Sequence, residues 1–323
     1  MFYTSVLKRG DSILYRGYES DGTQVKDKID FQPTFYVGSK KETKWKTLEG
    51  RYVDEIKPGS IKDCQEFIKK YEDVKGFDVY GNQDYVAQYI CETFQGEVKW
   101  QADKIKVYTV DIETTAKAAI DLVNTPEEIT LISVKNKQTK NTITFGSRHF
   151  DEVIPKHKYV LASDERNLLL HFLDWWQLNM PDIITGWNVD FFDITYIVRR
   201  IGIVLGVNYV AKLSPWGVVN LRTVRTKYGE DDTYELLGIS TIDYKQLYVK
   251  FGLNKLEEYK LDHVCYVELE EGKLENPYDT FEEFYSGTAE VTTEEKSKEN
   301  EYSKESYRRW QIKQELIRRG IEV

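Results

Sequence analysis

The stretch "VYTVDIETTA", Val107 to Ala116, places two carboxylates two residues apart within an otherwise apolar run. Residues i and i+2 of a β-strand point to the same face, so a strand here projects Asp111 and Glu113 together into one small space. Two like charges held so close repel each other and need protons, basic partners or metal ions to neutralise them. The alternative is an edge strand whose two acids are simply solvated, and this stretch alone leaves both interpretations open.

The composition is that of an ordinary soluble globular protein, with 323 residues, 41% hydrophobic and 31% charged, which is long enough for two domains. The three cysteines, Cys64, Cys91 and Cys265, lie too far apart for a disulfide framework or a zinc site and favour a reducing cytoplasm. No run approaches the ~18 apolar residues that a membrane span needs. A net charge of −9 argues against passive coating of nucleic acid. It is compatible with an enzyme that holds metal ions with acids and contacts phosphates through local basic patches.

Apolar periodicity and turn residues divide the chain into three parts. Residues 1–102 predict a small α+β domain of short strands with one clear helix, Ser60 to Val74, capped by Ser60. Residues 103–287 begin with three closely spaced strands and continue as helix, strand, helix, which predicts a mixed α/β fold with a sheet flanked by helices. Residues 288–323 are almost wholly charged or polar up to Trp310 and predict a charged helical tail.

A third carboxylate follows in "TGWNVDFFD", Thr185 to Asp193. Asp193 lies in the opening turn of a predicted amphipathic helix, where the helix dipole favours an anion, directly after a buried strand. If Asp193 faces Asp111 and Glu113, the three carboxylates form an oxygen-rich cluster of the kind that Mg²⁺ or Mn²⁺ occupies. The alternative is an ordinary acid in the first turn of a helix.

Several strings in order along the chain resemble the family-B DNA polymerases, most closely the replicative polymerases of tailed phages. They run from the N-terminus to about Tyr285 and comprise "YTVDIETT", "PDIITGWNVDFFDITYI", "LSPWG", "GISTIDYKQLY", "EYKLDHV" and "NPYDTFEEFY". The resemblance implies that residues 103–287 form a ribonuclease-H-like 3′→5′ proofreading exonuclease domain, preceded by the N-terminal domain of the family. It also implies that Asp111, Glu113 and Asp193 hold two divalent metal ions, Mg²⁺ or Mn²⁺, which hydrolyse the 3′-terminal phosphodiester of DNA.

The resemblance implies DNA contacts by further residues. Asn188 is expected to contact the 3′-terminal nucleotide or to support the helix start, and Phe192 to stack on DNA or to lie in the core. A hairpin around residues 227–234, with its turn predicted at Gly229 to Asp232, matches a family element that helps to part the primer end from its template; the alternative is a plain exposed hairpin. Beside it, Arg222, Arg225 and Lys227 are expected to contact phosphates, unless they are only solvated. Asp243 and Asp262 also resemble family positions, although an N-cap and a local structural acid explain them.

The chain departs from the family pattern near its end. The family completes this site with a Tyr and an Asp four residues later on one helix face, and no Asp follows Asp279 here. The polymerase palm is also absent from these residues. We therefore expect one subunit of a split polymerase, acting in the cytoplasm of a phage host. A second polypeptide would supply the missing acid and the palm, and the holoenzyme would bind a sliding clamp. The alternatives are a truncated chain and a non-catalytic DNA-binding module.

Overall fold

The computed structural model describes residues 1–115, 120–150, 153–226, 229–252 and 255–272. Its N-terminal part contains a three-stranded sheet, a four-stranded sheet and two helices. Their bounds are β1 (Phe2–Arg9), β2 (Ser12–Tyr18), β3 (Gln24–Ile29), β4 (Phe35–Gly38), β5 (Trp45–Lys46), β6 (Tyr52–Ile56), α1 (Ile61–Tyr71), β7 (Val79–Tyr80) and α2 (Tyr85–Thr93).

The predicted helix at Ser60 to Val74 is confirmed as α1. Ser60 and Asp63 form a reciprocal capping box: the Ser60 side chain accepts from the Asp63 N–H, and the Asp63 carboxylate accepts from the Ser60 N–H. The prediction of a single helix in this part is wrong, because α2 follows, capped by Asp84. The helix is short, and its apolar face packs on a separate N-terminal core, so its pattern in the sequence is weak.

The second part contains a six-stranded mixed sheet with helices, and a two-stranded hairpin. The predicted mixed sheet flanked by helices is confirmed. The bounds are β8 (Val107–Thr114), β9 (Ile129–Asn136), β10 (Thr142–Gly146), β11 (His157–Leu161), α3 (Glu165–Leu178), β12 (Ile183–Gly186), α4 (Asp193–Val204), α5 (Val207–Val210), β13 (Val219–Thr226), β14 (Gly229–Leu236), β15 (Ser240–Asp243), α6 (Tyr244–Phe251) and α7 (Leu261–Leu269).

In this sheet the strand order is β11-β10-β9-β8-β12-β15. The first three strands in sequence form an antiparallel meander, as predicted, and β12 then pairs parallel to β8. Strand β8 therefore lies inside the sheet, between β9 and β12. The alternative interpretation of Val107 to Ala116 as an edge strand is wrong. A large apolar core joins β8 and β9 to α3 and α4, with Trp176 and Phe172 among its fully buried side chains.

The predicted hairpin is present, but its predicted turn is wrong. Gly229 to Asp232 belong to β14, where Gly229 pairs with Thr226 and Asp232 with Thr223. The structure pairs Val219 with Leu236 at the base of the hairpin, and this register continues through Gly229 to Asp232, so these four residues are strand and not turn. The Gly and Asp residues that are typical of turns mark the start of the second strand instead.

A buried ion pair joins the N-terminal sheet to the six-stranded sheet. Arg16 of β2 is 2% exposed, and its guanidinium lies 3.4 Å from the Asp182 carboxylate. The same guanidinium donates to the backbone oxygens of Met180 (2.9 Å), Pro181 and Gly238 (3.1 Å). Because these residues immediately precede β12 and β15, Arg16 holds the starts of both strands.

The Asp182 carboxylate receives further donors from both sides of this junction. Tyr18 donates at 2.6 Å, Gln24 at 3.0 Å, Thr4 at 3.1 Å and the Lys106 N–H at 2.9 Å. A buried charge is tolerated only when it is paired and fully hydrogen-bonded, and Asp182 meets that condition. Among the described residues, no helix is long and apolar enough to cross a membrane.

We expect Arg16→Ala to lower the free energy of unfolding by about 3–5 kcal/mol, because it leaves a buried carboxylate without its charged partner. Chemical denaturation of the full chain measures this change. Arg9→Ala is the control, since Arg9 is exposed at the end of β1, and it should change stability by no more than about 0.5 kcal/mol. Equal effects of the two substitutions would show that the junction does not support the fold.

Candidate active site

Asp111 and Glu113 project from the same face of β8, as the sequence predicts. Along β8 the odd-numbered residues Thr109, Asp111 and Glu113 are exposed, while the alternate residues from Tyr108 to Thr114 are buried. The pairing with β9 shifts register between Glu113 and Thr114. Such an irregularity re-aims the side chains beside it.

Asp193 is brought to the same strand by its place at the start of α4. Its side chain is 2% exposed, and its Oδ1 accepts a hydrogen bond from the backbone N–H of Ile112 at 3.1 Å. Ile112 stands between Asp111 and Glu113, and the recorded pairing of β8 with β12 ends three residues earlier, at Thr109. The Asp193 carboxylate thus accepts a hydrogen bond from the residue that stands between the two predicted metal ligands.

The hydrogen bonds to the Asp193 carboxylate do not compensate the cost of burying its charge. Burial, followed by the negative charges of Asp111 and Asp243, raises the pKa of Asp193 to about 8 against the lowering effect of the Ile112 N–H. In the metal-free protein this carboxyl therefore holds a proton at neutral pH. A cation at the same place would offset both the burial of this carboxylate and its repulsion by Asp111.

The loop that precedes Asp193, residues 187–192, is held by Asp243. The Asp243 carboxylate accepts from the N–H groups of Asn188 (3.1 Å) and Asp190 (3.2 Å). It also caps α6, as predicted, through the N–H groups of Lys245 and Gln246. Asn188 adopts a positive φ of 63°, a conformation that asparagine tolerates better than most residues. We call residues 187–192 the site loop.

The remaining predicted DNA-contact residues are spread around the site loop. The Asn188 side-chain oxygen accepts from Lys245 Nζ at 3.1 Å, and Phe192 is half-buried against the main core. Arg222 and Arg225 are exposed on β13, where Arg225 forms a surface ion pair with Glu230 at 3.6 Å. Lys227 lies outside the described residues, as does the predicted tail at 288–323. The predicted DNA contacts of these residues stay predictions.

The three carboxylates do not form a ready-made metal site. Within the described ranges, no group of three or more His, Cys, Asp or Glu side chains is arranged to hold a metal ion. The chemistry of the donors nevertheless suits Mg²⁺ or Mn²⁺, since all are carboxylate oxygens and Asp193 is a buried acid repelled by Asp111. Metal binding by these residues stays a prediction.

Comparison with known proteins agrees with this arrangement. The family model for the exonuclease domain of DNA polymerase family B matches residues 77–264, more than half of the chain. The chain belongs to DNA polymerase family B. The match confirms the predicted family and the ribonuclease-H-like type of the mixed sheet. It begins at residue 77, whereas our predicted domain boundary at 102/103 remains a prediction.

Phage polymerases are similar to this family-B chain over most of its length. The DNA-directed DNA polymerase of Escherichia phage RB69 is 30% identical over 84% of the chain, and that of Enterobacteria phage T4 is 28% identical over 86%. The chain spans about a third of the length of these relatives, 33% of each. The DNA polymerase catalytic subunit of Gallid herpesvirus 2 is 26% identical over 46% of the chain and 13% of its own length.

Sequence reasoning missed the hydrogen bonds by which Asp243 holds the site loop of this family-B exonuclease domain. It identified Asp243 only as an N-cap, because capping is a local signal in the sequence. The bonds to Asn188 and Asp190 join residues more than fifty positions apart. No local pattern indicates them.

We expect Asp193→Asn to remove a pH dependence of stability in chelator. The folded state holds the Asp193 proton more tightly than the unfolded state, so its contribution is favourable below pH ~4 and is lost as pH rises through about 8. As pH rises from 5 to 9, the free energy of unfolding of Asp193→Asn should increase relative to that of the wild type by on the order of a few kcal/mol. Denaturant unfolding at both pH values measures this difference, and adding Mg²⁺ at pH 9 should stabilise only the wild type.

The control for this experiment is Asp164→Asn. Asp164 caps α3, and the Asn167 N–H lowers the pKa of its carboxyl, so it stays ionised from pH 5 to pH 9. Its stability difference from the wild type should therefore be constant over this range. A constant difference for Asp193→Asn as well would show that Asp193 is not a buried, proton-holding acid.

Proposed function

We propose that this chain carries the 3′→5′ proofreading exonuclease of a replicative family-B DNA polymerase, which hydrolyses the 3′-terminal phosphodiester of DNA. The observation that carries the proposal is the Asp193 carboxylate bonded to the Ile112 N–H between Asp111 and Glu113. The family match over residues 77–264 supports the same function independently.

Asp111, Glu113 and Asp193 would hold two divalent metal ions, Mg²⁺ or Mn²⁺. Bound metals would supply an activated water and would stabilise the leaving 3′-oxygen. Asp193 must release its proton to act as a ligand, so metal binding and deprotonation are linked. The backbone N–H of Ile112 orients the Asp193 carboxylate for this role.

The site loop and the hairpin of β13 and β14 would bind the DNA. Asn188 lies in the loop that leads to Asp193 and would contact the terminal nucleotide. Arg222 lies on β13 opposite Thr233, and its positive charge lowers the pKa of Asp190 in the site loop, which supports a phosphate contact there. Arg225 lies in the outer part of the same strand, where a phosphate could replace Glu230 as its partner.

A second polypeptide would complete the enzyme. The family completes its exonuclease site with a Tyr and an Asp four residues later, and the 288–323 sequence contains no such pair. We propose that the partner supplies the fourth carboxylate and the polymerase palm, and that the sliding clamp binds the assembled holoenzyme. This assembly would act in the cytoplasm of a phage host.

A non-catalytic DNA-binding module is the second candidate. It is favoured by one observation: among the residues that the structure describes, the acids are not grouped as a metal site. Such a module would bind single-stranded DNA without metal and would not cut it. The two candidates therefore differ in both metal dependence and product formation.

We expect the chain with its partner polypeptide to release the 3′-terminal nucleotide from end-labelled single-stranded DNA in Mg²⁺ or Mn²⁺. The double variant Asp111→Ala, Glu113→Ala should lower the rate by at least 10²–10³-fold as an order of magnitude, since it removes groups that stabilise the transition state. The matched control is Asp54→Ala, Glu55→Ala, which removes two exposed acids from β6 and should leave the rate unchanged.

Each outcome of this assay decides between the candidates. Cutting by the chain alone would mean that no second polypeptide is needed for exonuclease activity. Cutting only after the partner is added would support the split enzyme. Metal-independent DNA binding without cutting, with the partner present, would overturn the exonuclease proposal and favour the DNA-binding module.

A further inference from the structure

Asp190 joins three elements at the site loop. Its N–H donates to Asp243, which caps α6, and its backbone oxygen accepts from Thr195 of α4 at 3.0 Å. Thr233 of β14 supplies the third connection, because its hydroxyl oxygen lies 2.8 Å from both the backbone oxygen and Oδ1 of Asp190. Asp190 is three residues before Asp193 in the sequence.

The Thr233 hydroxyl is committed to Asp190 by its burial. Thr233 is 1% exposed, so no solvent can replace its hydrogen bond. A hydroxyl has one proton and donates to one acceptor at a time. Thr195 already donates to the Asp190 backbone oxygen, so we assign the Thr233 hydroxyl proton to the bond with the Asp190 carboxylate.

The outer half of the hairpin is mostly exposed among the residues that the structure describes. Residues 229–232 of β14 are exposed, as are Arg222, Thr223 and Arg225 of β13, whereas Thr233 and Leu236 near the base are buried. On the other side of β14, Asp232 pairs with Arg199 of α4 at 3.0 Å. The hairpin is thus held by the site loop at Thr233 and by α4 at Asp232, and residues 229–231 beyond these contacts are exposed.

We infer that Thr233 and Asp190 form a clasp that sets the angle of the hairpin to the site loop. Thr233 is thereby a positioning residue for DNA that enters as a duplex. The inference rests on the proposed exonuclease function. A hairpin that projects beside a site for a single-stranded 3′ end would contact duplex DNA before its two strands separate. The same hairpin would contribute nothing to cutting of DNA that is already single-stranded.

The test uses Thr233→Val in the full chain with its partner polypeptide. Valine keeps the buried shape and removes the hydroxyl. The ratio of excision from a mismatched duplex primer to excision from single-stranded DNA should fall by about tenfold, the effect of one hydrogen bond to a charged group. Thr233→Ser keeps the hydroxyl and should restore the ratio.

The control is Thr43→Val in the N-terminal part. Thr43 also donates from its hydroxyl, to the backbone oxygen of Val53 at 2.7 Å, but it lies outside the site loop and the hairpin. It should leave the ratio unchanged. An unchanged ratio for Thr233→Val, or an equal loss for Thr233→Ser, would overturn the inference while leaving the exonuclease intact.

Hydrogen exchange tests the clasp without any activity. In the full chain, Thr233→Val should speed exchange of the N–H groups of Asn188 and Asp190 together with those of the hairpin. Thr223→Val removes a hydrogen bond within the hairpin, from Thr223 to Asp232 Oδ1 at 3.1 Å, and should affect only the hairpin. Faster exchange in Thr233→Val that is confined to the hairpin would show that the two parts are not coupled. This result would hold even if the chain cut no DNA, so it separates failure of the clasp from failure of the proposed function.

Discussion

The ion pair between Arg16 and Asp182 is the interaction on which the rest of the structure depends. It lies where β12 begins, and it ties that strand and the start of β15 to the N-terminal sheet through one buried guanidinium. The strands that leave this junction carry the site at their other ends, where β12 leads into the site loop and β15 ends at Asp243. The N-terminal domain is therefore part of the framework of the exonuclease site.

Two buried acids, one directly before β12 and one at the start of α4, differ in how fully the protein compensates their charge. Asp182 receives a cationic partner and four further donors, so its charge is fully compensated inside the protein. Asp193 receives one strand N–H and faces the charge of Asp111, and burial raises its pKa to about 8. A buried acid that is paired with a cation of the protein stabilises the fold. A buried acid whose charge the protein does not compensate is suited to bind a cation from solution.

The sequence predicted those parts of the fold and site that local rules determine. The alternation from Val107 to Thr114, the N-cap at Ser60 and the cap at Asp243 each depend on neighbours within a few residues, and each is confirmed. The predicted turn at Gly229 to Asp232 was wrong because the register is set at the base of the hairpin, where Val219 pairs with Leu236. The central place of β8, the Arg16 junction and the Thr233 contact join residues far apart, so no local pattern could indicate them. The resemblance to family-B polymerases indicated the three carboxylates, but not the bonds that hold them in place.

The position of Asp190 connects these observations. Its N–H is held by Asp243, its carbonyl by Thr195 and its carboxylate by Thr233, so the loop before Asp193 cannot move without moving α6, α4 or the hairpin. Burial, rather than neighbouring charge, is the main cause that raises the pKa of Asp190, and the Thr233 bond and the charge of Arg222 oppose it. The chain carries a net charge of −9, so contact with DNA has to depend on a few placed cations. In the proposed function Arg222 would be such a cation, since it is exposed on β13 and its charge lowers the pKa of Asp190 in the site loop.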